Sequence, residues 1–120
     1  MEVSFYSVND ENEKVCFKSL AEKNNNQIIF QDKSLSNTMI YLTILKDKLI
    51  FERKGDCNMK IELKKDKKTL GFYSNEIGLE FNFETKCKEL IIKDKRIDIQ
   101  YDMILDNSIL SSHKIWIILR

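Results

Sequence analysis

The sequence predicts an all-β fold, a single meandering antiparallel β-barrel of about eight to ten strands that spans residues 1–120. Polar and apolar residues alternate without interruption from Arg96 to Met103, which is typical of a strand with one buried face. Similar segments recur at intervals of roughly 8–12 residues, separated by short polar breaks. Helical periodicity is weak throughout, so a sandwich or barrel is the favoured architecture.

Nine segments carry a strand pattern, and they are taken here in chain order. They cover residues 3–8, 15–21, 27–31, 39–45, 49–53, 59–63, 77–83, 96–103 and 115–119. Residues 11–23 could also form a helix capped by Asn9 or Asp10, but the alternation of Val15, Phe17 and Ala21 favours a strand. Residues 39–45 and 115–119 are apolar at both parities, so we expect both faces of these strands to be buried.

The breaks between these segments suit hairpin connections. They lie at residues 46–48, 64–68, 93–95 and 106–108 and are rich in Asp, Asn and Lys. The chain has no Pro and only three Gly, so Asn and Asp are expected to supply the turn conformations that glycine usually supplies.

Charge and composition exclude several classes of protein. The chain carries 20 Lys+Arg against 19 Asp+Glu, a balance that argues against a nucleic-acid partner. No apolar run approaches the roughly 20 residues that cross a bilayer, and the N-terminus has no secretory pattern. Three widely spaced cysteines fit a reducing compartment. We therefore expect a cytoplasmic protein without membrane insertion.

An ordered set of features follows residue 38. Arg53 and Gly55 form an Arg-x-Gly element at a strand end, and Tyr73 and Gly78 occupy a Tyr-x-Thr-x-x-Gly-like element. Thr85, the strand at 101–105 and the closing strand at 114–119 complete the order. In this order the chain resembles the YwiB-like family of small bacterial proteins, whose domain has no known function.

The resemblance implies a calycin-like fold, a meandering antiparallel barrel similar to those of lipocalins and fatty-acid-binding proteins. It implies no known enzyme activity, and we expect no cofactor. It also agrees with the number of strands expected from the alternation pattern. The glycine positions of the family pattern correspond to Gly55 and Gly78.

Arg53 is the most informative candidate site residue. By parity it shares a face with Leu49 and Phe51, and a charge on an apolar face requires a partner. One interpretation is an anchor for a ligand carboxylate inside the barrel, with Tyr101, Thr85 and Tyr73 as further ligand-binding candidates. The alternative is an arginine at the strand end that reaches water or backbone carbonyls.

Other chemistry-bearing residues favour structural interpretations. His113 is the single histidine and is expected to be a solvated loop residue, because neither nearby serine lies in a nucleophile-elbow context. A zinc site from His113 and the three cysteines would need four distant strands to converge, so we expect no metal. Lysine clusters at 64–68 and 86–88 are expected at solvated hairpin tips, and Trp116 in the core.

The sequence predicts two alternative functions. We expect neither to be enzymatic, because no catalytic constellation of residues is visible. The first is a non-catalytic binding module for a small apolar or amphipathic ligand, with or without a carboxylate. The second is a barrel plugged by its own side chains that acts as a protein-interaction or homo-oligomeric module, for example a homodimer. An interior cavity with Arg53 unpaired would favour the first, and a packed interior with Arg53 paired would favour the second.

Overall fold

The computed structural model describes residues 1–120, which form one closed barrel of ten β-strands and no helix. The strands are β1 (Glu2–Asn9), β2 (Lys14–Asn24), β3 (Gln27–Gln31), β4 (Thr38–Ile44), β5 (Leu49–Gly55), β6 (Cys57–Leu63), β7 (Lys68–Asn75), β8 (Glu80–Lys93), β9 (Arg96–Leu105) and β10 (Ser108–Leu119). Each strand pairs antiparallel with the next, and β1 pairs with β10 to close the barrel. The predicted all-β antiparallel barrel is confirmed.

Asparagine and aspartate make the tight turns, as the scarcity of glycine predicts. Every non-glycine residue with positive φ is one of these two types: Asn12, Asn25, Asn37, Asp66, Asp106 and Asn107. Asn or Asp cannot take the place of Gly55, because its φ is +143° and an added Cβ would lie 1.8 Å from the Asn37 carbonyl oxygen.

The region from residue 68 to residue 83 differs from the prediction. Strand β7 was not among the predicted segments, and Ile77 and Leu79 lie in the turn before β8 rather than in a strand. In β7 the buried residue is Gly71, which pairs with Phe83 across the sheet. A Cβ on Gly71 would lie 2.4 Å from the Phe83 ring, so the ring fills the space of the missing side chain. The usual apolar alternation is therefore absent from this strand.

Two strands that were expected to be buried on both faces are buried on one. In β4, Ile40 and Leu42 are fully buried while Met39 is 36% exposed. In β10, Ile115 and Ile117 point into the core, whereas Trp116 lies on the outer surface. The placement of Trp116 in the core was therefore wrong, because the barrel leaves one side of every strand facing solvent.

The barrel interior is packed over most of its length. Its centre holds the side chains of Phe5, Phe30 and Phe51, all essentially inaccessible to solvent, with ring centroids 6.3–6.5 Å apart for the pairs that involve Phe5. No part of the chain forms a helix of the length and apolarity needed to cross a membrane. A cavity remains at the end of the barrel where β5 finishes.

Candidate functional site

Arg53 lies near the end of β5 and faces into the barrel. The inward parity of this strand, set by Leu49 and Phe51, extends to Arg53, so its guanidinium passes over the Phe51 ring at 5.1 Å from the centroid. The Arg53 Nε donates a hydrogen bond to the Asp32 Oδ2 at 2.9 Å. The Arg53 side chain is 19% exposed and that of Asp32 is 0% exposed, so this is a largely buried ion pair.

Asp32, the carboxylate that pairs with Arg53, was not among the residues predicted from the sequence. It follows β3, whose inward residues Ile28 and Phe30 continue in parity to position 32. The Asp32 Oδ1 accepts hydrogen bonds from the backbone N–H and the hydroxyl of Ser34, and the Oδ2 accepts from Arg53. Extending the alternation of β3 by one step would have placed a carboxylate on the same interior face as Arg53.

A cavity of about 270 Å³ lies at this end of the barrel, which we call the mouth cavity. Its lining combines apolar side chains with a few polar ones: Ser7, Val8, Asn9, Glu13, Val15, Arg53, Met59, Tyr101, Met103, His113 and Ile115. Asp32 accepts a hydrogen bond only from the Nε of Arg53, and the two terminal guanidinium nitrogens have no acceptor in the protein. Hydrogen-bond donors without partners therefore remain at a mostly apolar opening.

Tyr101 and His113 form one wall of the mouth cavity. They are cross-strand partners in β9 and β10, and their rings stack with centroids 4.9 Å apart. Tyr101 is 3% exposed, and its hydroxyl makes no hydrogen bond to the protein. Burial raises the pKa of Tyr101 to about 12, partly offset by the charge of Arg53. Tyr101 is therefore a neutral donor at ordinary pH.

His113 is not the solvated loop residue that was expected. It lies in β10 on the same face as Ile115 and lines the mouth cavity. Burial lowers the pKa of His113, and Arg53 acts in the same direction, while Asp10 and Asp102 oppose them. The Ser111 Oγ and the His113 Nε2 lie 2.7 Å apart, since residues two apart on a strand share a face.

The other predicted ligand-binding residues lie elsewhere. Thr85 is fully buried in β8, does not line the mouth cavity, and its hydroxyl has no hydrogen-bond partner. Tyr73 in β7 packs on Phe81 with ring centroids 5.3 Å apart and also lies outside the lining. The structure thus brings Arg53 and Tyr101 together at one cavity and places Thr85 and Tyr73 apart from it.

The cysteines are distributed over three strands. Cys16 is exposed on β2, Cys57 is partly buried on β6, and Cys87 is buried on β8. Burial raises the pKa of Cys87 to about 11, so its thiol is protonated at ordinary pH. No group of three or more His, Cys, Asp or Glu side chains is arranged to hold a metal ion.

The interior combines features of both expected arrangements. Below the mouth it is filled by side chains, and Arg53 is paired with a carboxylate, as in a plugged barrel. At the mouth, a cavity remains beside the unpaired part of the same guanidinium. This geometry can accept a small hydrogen-bond acceptor such as a carboxylate at the opening, with apolar contacts on Met59 and Met103.

Comparison with known proteins adds a family and a fold. Residues 6–117 match the model of a family described as a domain of unknown function, DUF1934. The crystal structure of the ywiB protein from Bacillus subtilis is similar, with a TM-score of 0.69 and 17% sequence identity over 97% of this chain and 87% of that one. No protein with a curated description matches the sequence.

Proposed function

The chain belongs to the DUF1934 family of unknown function, and from the mouth cavity we propose that it is a non-catalytic binding module for a small amphipathic ligand. The ligand's carboxylate would accept hydrogen bonds from the terminal nitrogens of Arg53 and from the Tyr101 hydroxyl. Its apolar part would lie on Met59, Met103 and Ile115. The observation that carries the proposal is that Arg53 faces the cavity with its two terminal nitrogens unpaired.

The size of the cavity limits the ligand. Its volume of about 270 Å³ lies just below the range of about 300–1,000 Å³ that is usual for ligand pockets. The packed phenylalanines beneath it leave no room for a long acyl chain. A short aliphatic or monocyclic carboxylate fits this space better than a fatty acid.

The charges around the mouth cavity further restrict the ligand. Asp32 already neutralises part of the Arg53 charge, and Glu13 lies in the lining. A ligand carboxylate can still bind the Arg53 guanidinium together with Asp32, because a guanidinium carries N–H donors on more than one edge. A ligand with several negative charges would be repelled by Glu13, so a monocarboxylate is favoured.

The absence of catalysis is part of the proposal. The Ser111–His113 contact lacks a third group bonded to the other ring nitrogen of His113, and Ser111 is not in the cavity lining. An oriented base is what activates a serine nucleophile. The pair is therefore assigned to holding the His113 ring in place.

The second candidate function is a protein-interaction or homo-oligomeric module. Large apolar side chains are exposed near the mouth, in the turn before β8 and at the start of β10: Ile77 is 86%, Ile109 61%, Leu110 54% and Leu79 51% exposed. Exposed apolar groups at one end of a protein favour association. Sedimentation velocity at rising protein concentration distinguishes a monomer from a homodimer.

A titration with defined probes tests the ligand proposal. Butyrate, hexanoate and benzoate are added to ¹⁵N-labelled protein, with hexanamide as the uncharged control. We expect saturable amide shifts at Arg53, Tyr101 and His113 with the carboxylates and not with hexanamide. Native mass spectrometry of protein purified from its own host identifies any resident molecule.

Two variants separate the site from the fold. Arg53→Lys keeps a cation for Asp32 but removes the planar fork, and it should weaken carboxylate binding about tenfold. Arg96→Lys, at an exposed ion pair with Asp98, is the matched control and should bind as the parent does. Unchanged affinity in Arg53→Lys, or the absence of shifts at the mouth with all probes and of any resident molecule, would refute the proposal.

A further inference from the structure

An aromatic pair lies on the outside of the barrel, away from the mouth cavity. Tyr6 in β1 and Trp116 in β10 are cross-strand partners whose rings stack at 5.6 Å with an interplanar angle of 9°. Both side chains are partly exposed on the outer surface. Neither contributes to the core, so this stacked pair remains unexplained by the packing of the interior.

Lysines surround this pair in register. Lys14 and Lys114 lie on either side of Val8, in the outward row next to the aromatic row. Lys18 lies on the other side of the aromatic row, opposite Ser4. All three lysines are exposed, and none forms a salt bridge. Seven other basic residues of the chain each form a salt bridge with a carboxylate. We call Tyr6, Trp116 and these lysines the aromatic face.

A groove lies on each side of the stacked Tyr6–Trp116 pair. One, of about 220 Å³, is lined by Tyr6, Lys14 and Cys16 as well as Trp116. The other, of about 280 Å³, lies between Trp116, Lys114 and Arg96. Tyr6 covers one face of the indole, so a planar group can stack on the outer face of either ring of the pair, with a lysine beside each groove.

We propose that the aromatic face binds single-stranded nucleic acid. Bases would stack in the grooves beside Trp116 and Tyr6, and phosphates would contact Lys14, Lys18 and Lys114. Aromatic groups on a sheet surface combined with unpaired cations are the elements by which single strands are bound without sequence preference. The occupant follows from charge complementarity, since the three cations lack anionic partners in the protein.

Basic groups outnumber acidic ones on this face. Asp98 is held by Arg96 through contacts of 2.9–3.1 Å, and Glu89 lines the groove of about 280 Å³ together with Lys114, whereas no acidic side chain lines the groove beside Lys14. The whole-chain balance of +1 predicted no nucleic-acid partner, but such a balance averages over faces of opposite charge. The local arrangement, rather than the total charge, carries this inference.

The lysine-rich turns at the opposite end from the mouth are the natural comparison. Lys46, Lys65 and Lys67 are exposed there and belong to no salt bridge either. No aromatic side chain lies in these turns, so they offer phosphate contacts without base stacking. They provide a control that is matched in charge but lacks the proposed chemistry.

The binding measurement uses the single tryptophan as its own reporter. Oligouridylate and oligothymidylate of about 12 nucleotides are titrated into the full chain, and we expect them to quench Trp116 fluorescence. Three phosphate contacts predict a slope of about −2 for the logarithm of the binding constant against that of the salt concentration. Polyphosphate is the competitor without bases, and it should bind more weakly and leave the fluorescence unchanged.

Variants locate the binding, measured by anisotropy of a labelled oligonucleotide. Lys14→Gln, Lys18→Gln and Lys114→Gln combined should lower the affinity at least tenfold at low salt, and Tyr6→Leu about fivefold. The triple variant of Lys46, Lys65 and Lys67 to Gln should change it less than twofold. Equal losses in the two triple variants, polyphosphate binding as tight as that of the oligonucleotides, or no binding at all would each overturn the proposal. Circular dichroism melts confirm that every variant folds.

Discussion

Arg53 and Asp32 meet inside the barrel by reaching across strand β4. They are 21 residues apart in the chain, and the Arg53 Nε lies 2.9 Å from the Asp32 Oδ2. Between them runs Ile40, which pairs with Arg53 on one side and Phe30 on the other. The contact holds the Nε edge of the guanidinium and leaves its two terminal nitrogens without an acceptor in the protein.

Breaking this pair should destabilise the fold strongly. Arg53→Met leaves the fully buried Asp32 carboxylate without its cation, and we expect a loss of about 3–5 kcal/mol in the free energy of unfolding. Urea unfolding measures it. The double variant Arg53→Met with Asp32→Asn should recover part of the loss, because no buried charge remains. A single variant as stable as the parent would show that the carboxylate is solvated.

The Tyr101 hydroxyl should matter for binding and not for stability. Tyr101→Phe removes a donor that has no partner in the protein, so it should weaken carboxylate binding by about 1 kcal/mol, or about fivefold. Tyr73→Phe is the control, because Tyr73 lies outside the mouth cavity. Equal effects of the two substitutions in the NMR titration would contradict the assignment of Tyr101 to the site.

Thr85 and Thr69 are cross-strand neighbours with opposite expectations. The buried Thr85 hydroxyl has no partner, so Thr85→Val should raise the free energy of unfolding by about 1 kcal/mol. The Thr69 hydroxyl donates to the Glu62 carbonyl, so Thr69→Val should lower it by about 1 kcal/mol. Thermal unfolding of the two variants compares them directly, and a loss of stability in both would indicate that Thr85 has a partner.

His113 should make stability depend on pH. Its pKa is lowered in the folded barrel by burial, so the unfolded chain binds a proton at a higher pH than the folded one. The free energy of unfolding should therefore decrease as the pH falls through the ordinary histidine pKa of about 6.5, and level off below the folded pKa. His113→Gln should lack this component. Urea unfolding from about pH 8 to about pH 5 of both proteins tests it, and parallel curves would refute it.

The two glycines with positive φ should differ in tolerance. Gly55→Ala combines an unfavourable φ of +143° with a Cβ 1.8 Å from the Asn37 carbonyl oxygen, and should cost about 3 kcal/mol or more. Gly78→Ala has a φ of +89° but no atom within 4 Å, and should cost only about 1 kcal/mol of backbone strain. Equal melting temperatures of the two variants would contradict this ranking.

The alternation of polar and apolar side chains along the sequence predicted most of the strands and their buried faces. Strand period depends on local backbone geometry, so the pattern in residues such as Ile97, Ile99 and Tyr101 predicts both the strand and its buried face. The same parity put Arg53 inside. Turn chemistry is also local, since Asn and Asp tolerate positive φ, and the predicted turns appear as expected.

Only the tertiary structure decided which of these residues meet. Strand pairing and register place Asp32 beside Arg53 and His113 beside Tyr101, and the alternation within a single strand does not encode these pairings. Strand β7 escaped prediction because the space beside Gly71 is filled by Phe83 from another strand. Trp116 was misplaced because hydrophobicity alone does not distinguish an interior aromatic from one stacked on Tyr6 outside the barrel. In each case the deciding contact joins residues of different strands.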